Sequence, residues 1–181
     1  MREASDEDLM AQVARGDERA FRTLAERFAG RASGLARRYL GNDTDAEEVV
    51  QEALLRVWTA APRWRPEAAF GTWFYQIVVH LCLNRLRRAP HRPLEEADDP
   101  VDPAPDALAR LQERDENRAL EAAISALPER QRAVVLLTYW EGFSNARTAE
   151  ILGASVSSVE TLLVRARRSL REHLRRPRDE E

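Results

Sequence analysis

Lysine is absent from this chain: all 28 of its basic residues are arginine. Each cation is therefore a planar fork that can hold a phosphate or a guanine edge through two N–H groups. Cysteine occurs once, at Cys82, which excludes an intrachain disulfide and any cysteine-built zinc site. Cys82 lies in an apolar run and reads as a packed core thiol. The N-terminus has no apolar signal region, and no stretch approaches the ~18 apolar residues of a membrane span. No membrane insertion is expected, and the reading is a cytoplasmic protein. Enzyme signatures are missing too: there is no glycine-rich phosphate loop, no His-Glu-x-x-His pair and no G-x-S-x-G elbow. His80, His91 and His173 are far apart in sequence. No catalytic residue, metal site or cofactor is expected.

What is present is helical and locally charged. The 181 residues suit one domain or two small ones. A hydrophobic content of 44% is enough for real cores. The formal net charge of -3 does not announce a nucleic-acid binder, so any such case rests on local asymmetry. That asymmetry exists. Acids dominate from Glu95 to Glu116, while Arg85, Arg87, Arg88 and Arg92 precede them and a second arginine cluster ends the chain.

The apolar period is helical nearly throughout, with no convincing strand pair. Ser5 with Asp8 resembles a capping box opening a helix to about Arg15, and Gly16-Asp17 restarts the chain. Further helices are expected over about 18–40, from a Thr44 or Asp45 cap to about Thr59, and over about 70–88. Residues 61–69, with Pro62 and Pro66, read as a loop. Five prolines between Pro90 and Pro105, mixed with acids, read as a flexible acidic linker. Helices resume near Asp106 and reach about Ala126, followed by one from Glu129 to Tyr139. The fold class is all-α: two small helical domains, 1–89 and 107–176, joined by an acidic proline-rich linker at 90–106.

Three stretches could carry function. Ser144 to Leu152, a break at Gly153 and a longer segment from Ser155 to about Leu174 read as a helix-turn-helix. Ala149, Ile151, Leu152, Val156, Val159, Leu162 and Leu163 would form its shared seam. The first turn of the second helix offers Ser155, Ser157, Ser158, Glu160 and Thr161 to base edges, and Arg165 and Arg168 to phosphates. The plainer alternative is a solvated basic helix face. The second stretch sets Trp64 and Trp73 among Arg63, Arg65, Arg85, Arg87 and Arg88, a mixture suited to unstacked bases and a phosphate track. Trp73, Phe74 and Ile77 are expected partly in the core, with Trp64 the better exposed reader. The third stretch is the polar helix start bearing Asp45, Glu47, Glu48, Gln51 and Glu52, which suits the helix dipole or a protein-docking face.

Together these stretches resemble bacterial RNA polymerase sigma factors of the extracytoplasmic-function group. Asp45 to Trp58 is similar to their core-polymerase-binding segment. Phe70-Gly71-Thr72-Trp73-Phe74-Tyr75-Gln76-Ile77 with Arg85-Leu86-Arg87-Arg88 is similar to their −10 segment. Leu127-Pro128-Glu129-Arg130-Gln131-Arg132, Glu141-Gly142-Phe143-Ser144 and Arg165-Ala166-Arg167 are similar to their −35-binding domain. The resemblance implies region 2 at 1–89 and region 4 at 107–176. It implies polymerase contacts at Asp45, Glu48, Gln51, Glu52 and Leu55, made to the largest subunit's clamp helices, and a further contact with the flap. It also implies −10 contacts at Arg63, Trp64, Arg65, Trp73, Arg85, Arg87 and Arg88, −35 contacts from the helix starting at Ser155, and an anti-sigma factor as partner. Three positions depart from the family's habit: Arg147 stands where Glu is usual, Thr148 where a small or apolar residue is common, and His80 where Asn is frequent. One rival is a conventional helix-turn-helix regulator that binds its operator without polymerase. The other is a helical enzyme, for which no constellation is present.

Overall fold

The computed structural model describes residues 4–88 and 117–175. Among them it is helical, with no strand. The first half holds α1 (Asp6–Val13), α2 (Glu18–Leu40), α3 (Asp43–Ala60), a 3-10 turn (Ala61–Arg63) and α4 (Phe70–Arg88). The second half holds α5 (117–125), α6 (Glu129–Val135), a π-helical turn (Leu136–Trp140), α7 (Asn145–Leu152) and α8 (Val156–Arg175). The acidic linker at 90–106 and the helix onset near Asp106 fall outside the described residues.

Local chemistry sets most boundaries. Ser5 accepts from the Asp8 N–H at 3.1 Å and Asp17 from Ala20 at 3.1 Å, so each satisfies an amide that the first helical turn leaves unpaired. Gly41 and Gly153, both left-handed, end α2 and α7. Two starts and stops differ from the sequence expectation. α1 stops at Val13, before Arg15, because the chain closes a turn into Gly16 at φ 87°. α3 is capped neither by Thr44 nor by Asp45: Asn42 lies extended and its Oδ1 accepts from the Asp45 N–H at 2.7 Å. α4 takes its start from another element, with Glu7 of α1 accepting from the Phe70 N–H at 3.1 Å. The expected helix to Tyr139 changes register after Val135. There the Glu141 N–H reaches back to Leu136 and the Phe143 N–H to Leu137, a widening often found at functional positions.

In the first half α1, α3 and α4 gather round α2. Their core is built on Leu24, Leu35, Tyr39, Val57, Phe70, Phe74 and Val78, all nearly sealed from solvent. The rings of Phe28, Phe70 and Phe74 meet with centroids 5.1–6.1 Å apart. In the second half Val134, Ala149, Val159 and Leu163 form the helix-turn-helix seam. Val156, expected in that seam, is exposed: it opens α8 one turn ahead of Val159, where the seam begins. Ile151 leaves the seam as well and joins a cluster with the first half. That cluster is continuous across the molecule: Leu136, Leu137, Phe143 and Ile151 pack with the α2 and α4 core, and α4 lies against α7.

Candidate nucleic-acid and protein-docking surfaces

The reading edge of the helix-turn-helix is open. Ser144 caps α7 by accepting from the Arg147 N–H at 3.2 Å, and Ser155 caps α8 by accepting from the Ser158 N–H at 3.1 Å. Past that cap, Ser157, Ser158, Glu160, Thr161, Arg165 and Arg168 are all exposed, as is Ser155 itself. The Thr161 hydroxyl donates to the Ser157 carbonyl at 2.9 Å, leaving its lone pairs outward. Arg168 meets Glu172 at 3.1 Å one turn on; both are exposed, so the pair is weak and easily exchanged for a phosphate. A helix N-terminus with exposed hydroxyls, two of which (Ser155 and Ser158) bond each other at 2.8 Å, and one carboxylate, followed by arginines, can meet base edges first and backbone second.

The aromatic-basic set is split along α4. At its start, Arg63 and Arg65 are exposed on the loop, while Trp64 and Trp73 are half-buried with centroids 6.0 Å apart. Trp64 also edges Phe70 at 6.2 Å, so the expected free reader is an anchored one: its ring props the loop and shows one part to solvent. At the far end lie Arg85, Arg87 and Arg88, about 18 Å from Trp73 at ~1.5 Å of rise per residue. Arg88 is exposed. Arg87 sits 3.7 Å from Glu129 of the second half. Arg85 is engaged: one of its nitrogens meets Asp45 at 2.7 Å and also the Glu48 carboxylate. Hydrogen bonds and charge from those two acids raise its pKa against the effect of burial, which is the largest single influence and acts the other way.

The acidic set divides in the same way. Asp45 turns inward, held by Arg85 and by the Asn42 amide at 2.8 Å. Glu48, Gln51, Glu52, Leu55, Arg56 and Thr59 share one outward face at helical spacing and line a shallow depression of about 480 Å³. Leu55 is 63% exposed at its centre. An exposed leucine rimmed by polar groups is the composition of a protein-docking face.

Sequence reasoning missed the junction between the halves. The Glu141 side chain, 2% exposed, accepts from the Tyr75 hydroxyl at 2.9 Å and pairs with Arg31 at 3.1 Å. Gln76 donates to the Glu150 carbonyl at 2.9 Å, and Tyr39 to the Glu129 carbonyl at 2.9 Å. Arg38 lies 3.3 Å from the Trp140 ring centroid. Burial pushes both the Tyr39 and the Tyr75 hydroxyls well above their ordinary pKa. Only Arg147 carried a local signal, as a cation in the first turn of a helix, where the dipole disfavours it. Among the described residues no group of acids, histidines and cysteine could hold a metal, and no helix is long and apolar enough to cross a membrane.

Known proteins are similar to this chain in sequence and in fold. Sigma-70 region 2 matches residues 24–92, and Sigma-70, region 4 matches residues 117–170. The chain is 36% identical over 168 residues to the ECF RNA polymerase sigma factor SigM of Mycobacterium tuberculosis, covering 93% of this chain and 84% of that protein. It is 29% identical over 179 residues to SigW of Bacillus subtilis, covering 91% and 94%. Among solved structures, CnrH in complex with the cytosolic domain of CnrY superposes with a TM-score of 0.73 at 29% identity, over 94% of this chain and 97% of that one. RpoE of Bartonella quintana, in complex with the anti-sigma factor NepR, shares the fold with a TM-score of 0.67 at 19% identity, over 87% and 98%.

Proposed function

The chain belongs to the sigma-70 family of RNA polymerase sigma factors, in its extracytoplasmic-function group, and from that premise we propose how its surfaces divide the work. It binds core RNA polymerase and directs promoter-specific initiation. The α3 face of Glu48, Gln51, Glu52 and Leu55 docks the polymerase clamp, and Asp45 supports that face through Arg85. The loop bearing Arg63, Trp64 and Arg65, with Trp73 behind it, receives an unstacked −10 base, and Arg85, Arg87 and Arg88 follow the adjoining strand. Ser155, Ser157, Ser158, Glu160 and Thr161 read the −35 major groove while Arg165 and Arg168 hold its backbone.

The two domains are residues 1–89 and 107–176, with 90–106 the linker between them. The chain has no chemistry of its own and acts by binding in the cytoplasm, where its polymerase is. A neighbour of the same fold is solved with an anti-sigma factor, which supports an inhibitor of that class as a further partner.

The observation that carries the −35 assignment is the open first turn of α8, with hydroxyls and Glu160 ahead of an arginine face. Titration of the protein against core polymerase, followed by run-off transcription on genomic fragments, tests the whole. Tight binding with new start sites is expected. Glu160→Ala and Arg165→Ala then lower transcription from those promoters about tenfold and leave polymerase affinity unchanged. Absence of polymerase binding, with tight DNA binding by the protein alone, would make it a conventional regulator.

A further inference from the structure

We propose that Val164, which stands outside the −35 residues assigned above, determines specificity at that element by meeting the C5-methyl group of a pyrimidine in the major groove. This rests on the −35 assignment above and names a base feature that its polar residues do not read.

Val164 is 64% exposed, the most open large apolar side chain among the described residues. It does nothing for the fold there. Val159, Leu163 and Ala166 make the buried side of α8, and Val164 is turned about 100° from Leu163 at ~3.6 residues per turn. A branched side chain at an exposed position is also a weaker helix former than arginine or glutamate. One exposed valine is ordinary on a protein surface, so the neighbours of this one decide its meaning.

Ser157, Thr161, Val164 and Arg168 follow at spacings of four, three and four, which sets them in one line along the outward side of α8; all four are exposed. Along the axis Thr161 lies ~4.5 Å before Val164 and Arg168 ~6 Å after it, at ~1.5 Å per residue. The valine therefore sits between the base-reading turn and the cations that hold phosphate. Its neighbours one turn away are Glu160, Thr161, Arg167 and Arg168, all exposed and none apolar. A protein groove built for a valine would need apolar company around it. Arg165, Arg167, Arg168 and Arg171 instead fix the occupant as a polyanion.

In a major groove the base edges present donors and acceptors, with one apolar exception: the C5-methyl group of thymine, which 5-methylcytosine also carries. Valine has no polar atom. Opposite a donor or acceptor it displaces water without replacing the lost bond, whereas opposite a methyl group it buries apolar surface on both sides. Val164 thus favours one substituent at one position, while the serines and Thr161 accept either kind of base.

Base-analogue substitution tests this on the holoenzyme reconstituted from the full-length chain, core polymerase and a promoter found by run-off transcription. Deoxyuridine replaces each −35 thymidine in turn, removing the methyl group and keeping the pairing. In a second arm 5-methyldeoxycytidine replaces each deoxycytidine in turn, adding the methyl group. Val164→Ala is measured beside the wild type; alanine is the best helix former and the site is open, so α8 is kept, as circular dichroism checks. At one thymine, deoxyuridine should raise the wild-type half-saturating concentration about fourfold, the worth of one buried methyl group. Val164→Ala should raise it by a similar factor on the unmodified promoter and ignore the replacement at that position. A fall in half-saturation confined to one 5-methyldeoxycytidine, and lost in Val164→Ala, would uphold the contact with methylated cytosine as its source. If Val164→Ala weakens methyl-bearing and methyl-free promoters equally, or changes neither, the contact is overturned while the −35 assignment stands. If Glu160→Ala and Arg165→Ala also leave transcription unchanged, the −35 assignment fails and takes the methyl contact with it.

Discussion

Arg132 is 7% exposed and hands its guanidinium to backbone carbonyls: Tyr39 at 2.7 Å, Leu127 at 3.4 Å, and Ser125. The Tyr39 carbonyl belongs to the last turn of α2, where carbonyls lack helical partners and a cation is favoured. Arg132→Met keeps the volume but leaves three carbonyl acceptors short of a donor, two of them in buried contacts, a loss of about 2–4 kcal/mol that the urea midpoint measures. Arg132→Lys is expected to recover less than half, since one ammonium cannot span what a fork spans. A second residue-scale consequence concerns alkali. Burial pushes the Cys82 thiol up to about 12, and burial also raises Tyr39 and Tyr75. For Tyr75 the Glu141 carboxylate adds to the rise through its charge and its hydrogen bond. All three are acids held protonated in the folded state. Their contribution is whole below the unfolded pKa values and is lost as pH climbs past about 9, because the unfolded chain then releases protons that the folded chain keeps. The urea midpoint should fall steadily between about pH 9 and pH 11, and Cys82 should ignore a thiol reagent until the protein is unfolded. A flat midpoint across that range would mean these groups titrate freely.

At the scale of elements, α3 divides its polar residues between an inward anchor and an outward face. Its acids look equivalent in sequence, yet Asp45 is tied to Asn42 and Arg85 while Glu52 and Leu55 face out. Leu55→Asp should therefore weaken polymerase binding at least tenfold with little change in stability, since a 63% exposed leucine contributes little to the fold. Asp45→Ala should do the reverse: it costs about 1 kcal/mol of stability and shifts polymerase affinity less than threefold. Equal losses of affinity in the two variants would put Asp45 back on the docking face. The difference could not be read from the helical period, which places a residue on a face without saying what that face meets. Helix existence was legible because its signals are local. Ser5, Asp17, Ser144 and Ser155 cap their own helices, and Gly153 ends α7 as its position suggested. α4 escaped that logic because its first amide is satisfied by Glu7, 63 positions away. The π-turn after Val135 escaped it too, since LeuLeuThrTyrTrp reads as ordinary helix until Glu141 is drawn towards Tyr75.

For the whole molecule, the sequence describes two domains and a tether, and the structure joins them through one apolar cluster. Nothing in a single chain's pattern pairs Arg31 with Glu141 across 110 positions, or Gln76 with Glu150 across 74. Each half also reads as complete, with its own amphipathic helices and caps. The apolar surplus that demands a partner is spread over few positions: Leu136, Leu137, Phe143 and Ile151 on one side, packed with the α2 and α4 core on the other. That surplus has a thermodynamic consequence. Separating the halves exposes these residues to water at roughly 25 cal/mol per Å² of apolar surface, on top of the lost ring and cation contacts. The small second half, whose own seam is Val134, Ala149, Val159 and Leu163, leans on the first for part of its stability. The free chain should therefore melt in one calorimetric transition whose calorimetric and van't Hoff enthalpies agree. Arg147→Glu should split it into two, the lower belonging to the second half. A single unchanged transition in Arg147→Glu would mean that the apolar cluster alone couples the halves. Two transitions in the wild type would mean that each half stands alone and that the shared cluster adds little.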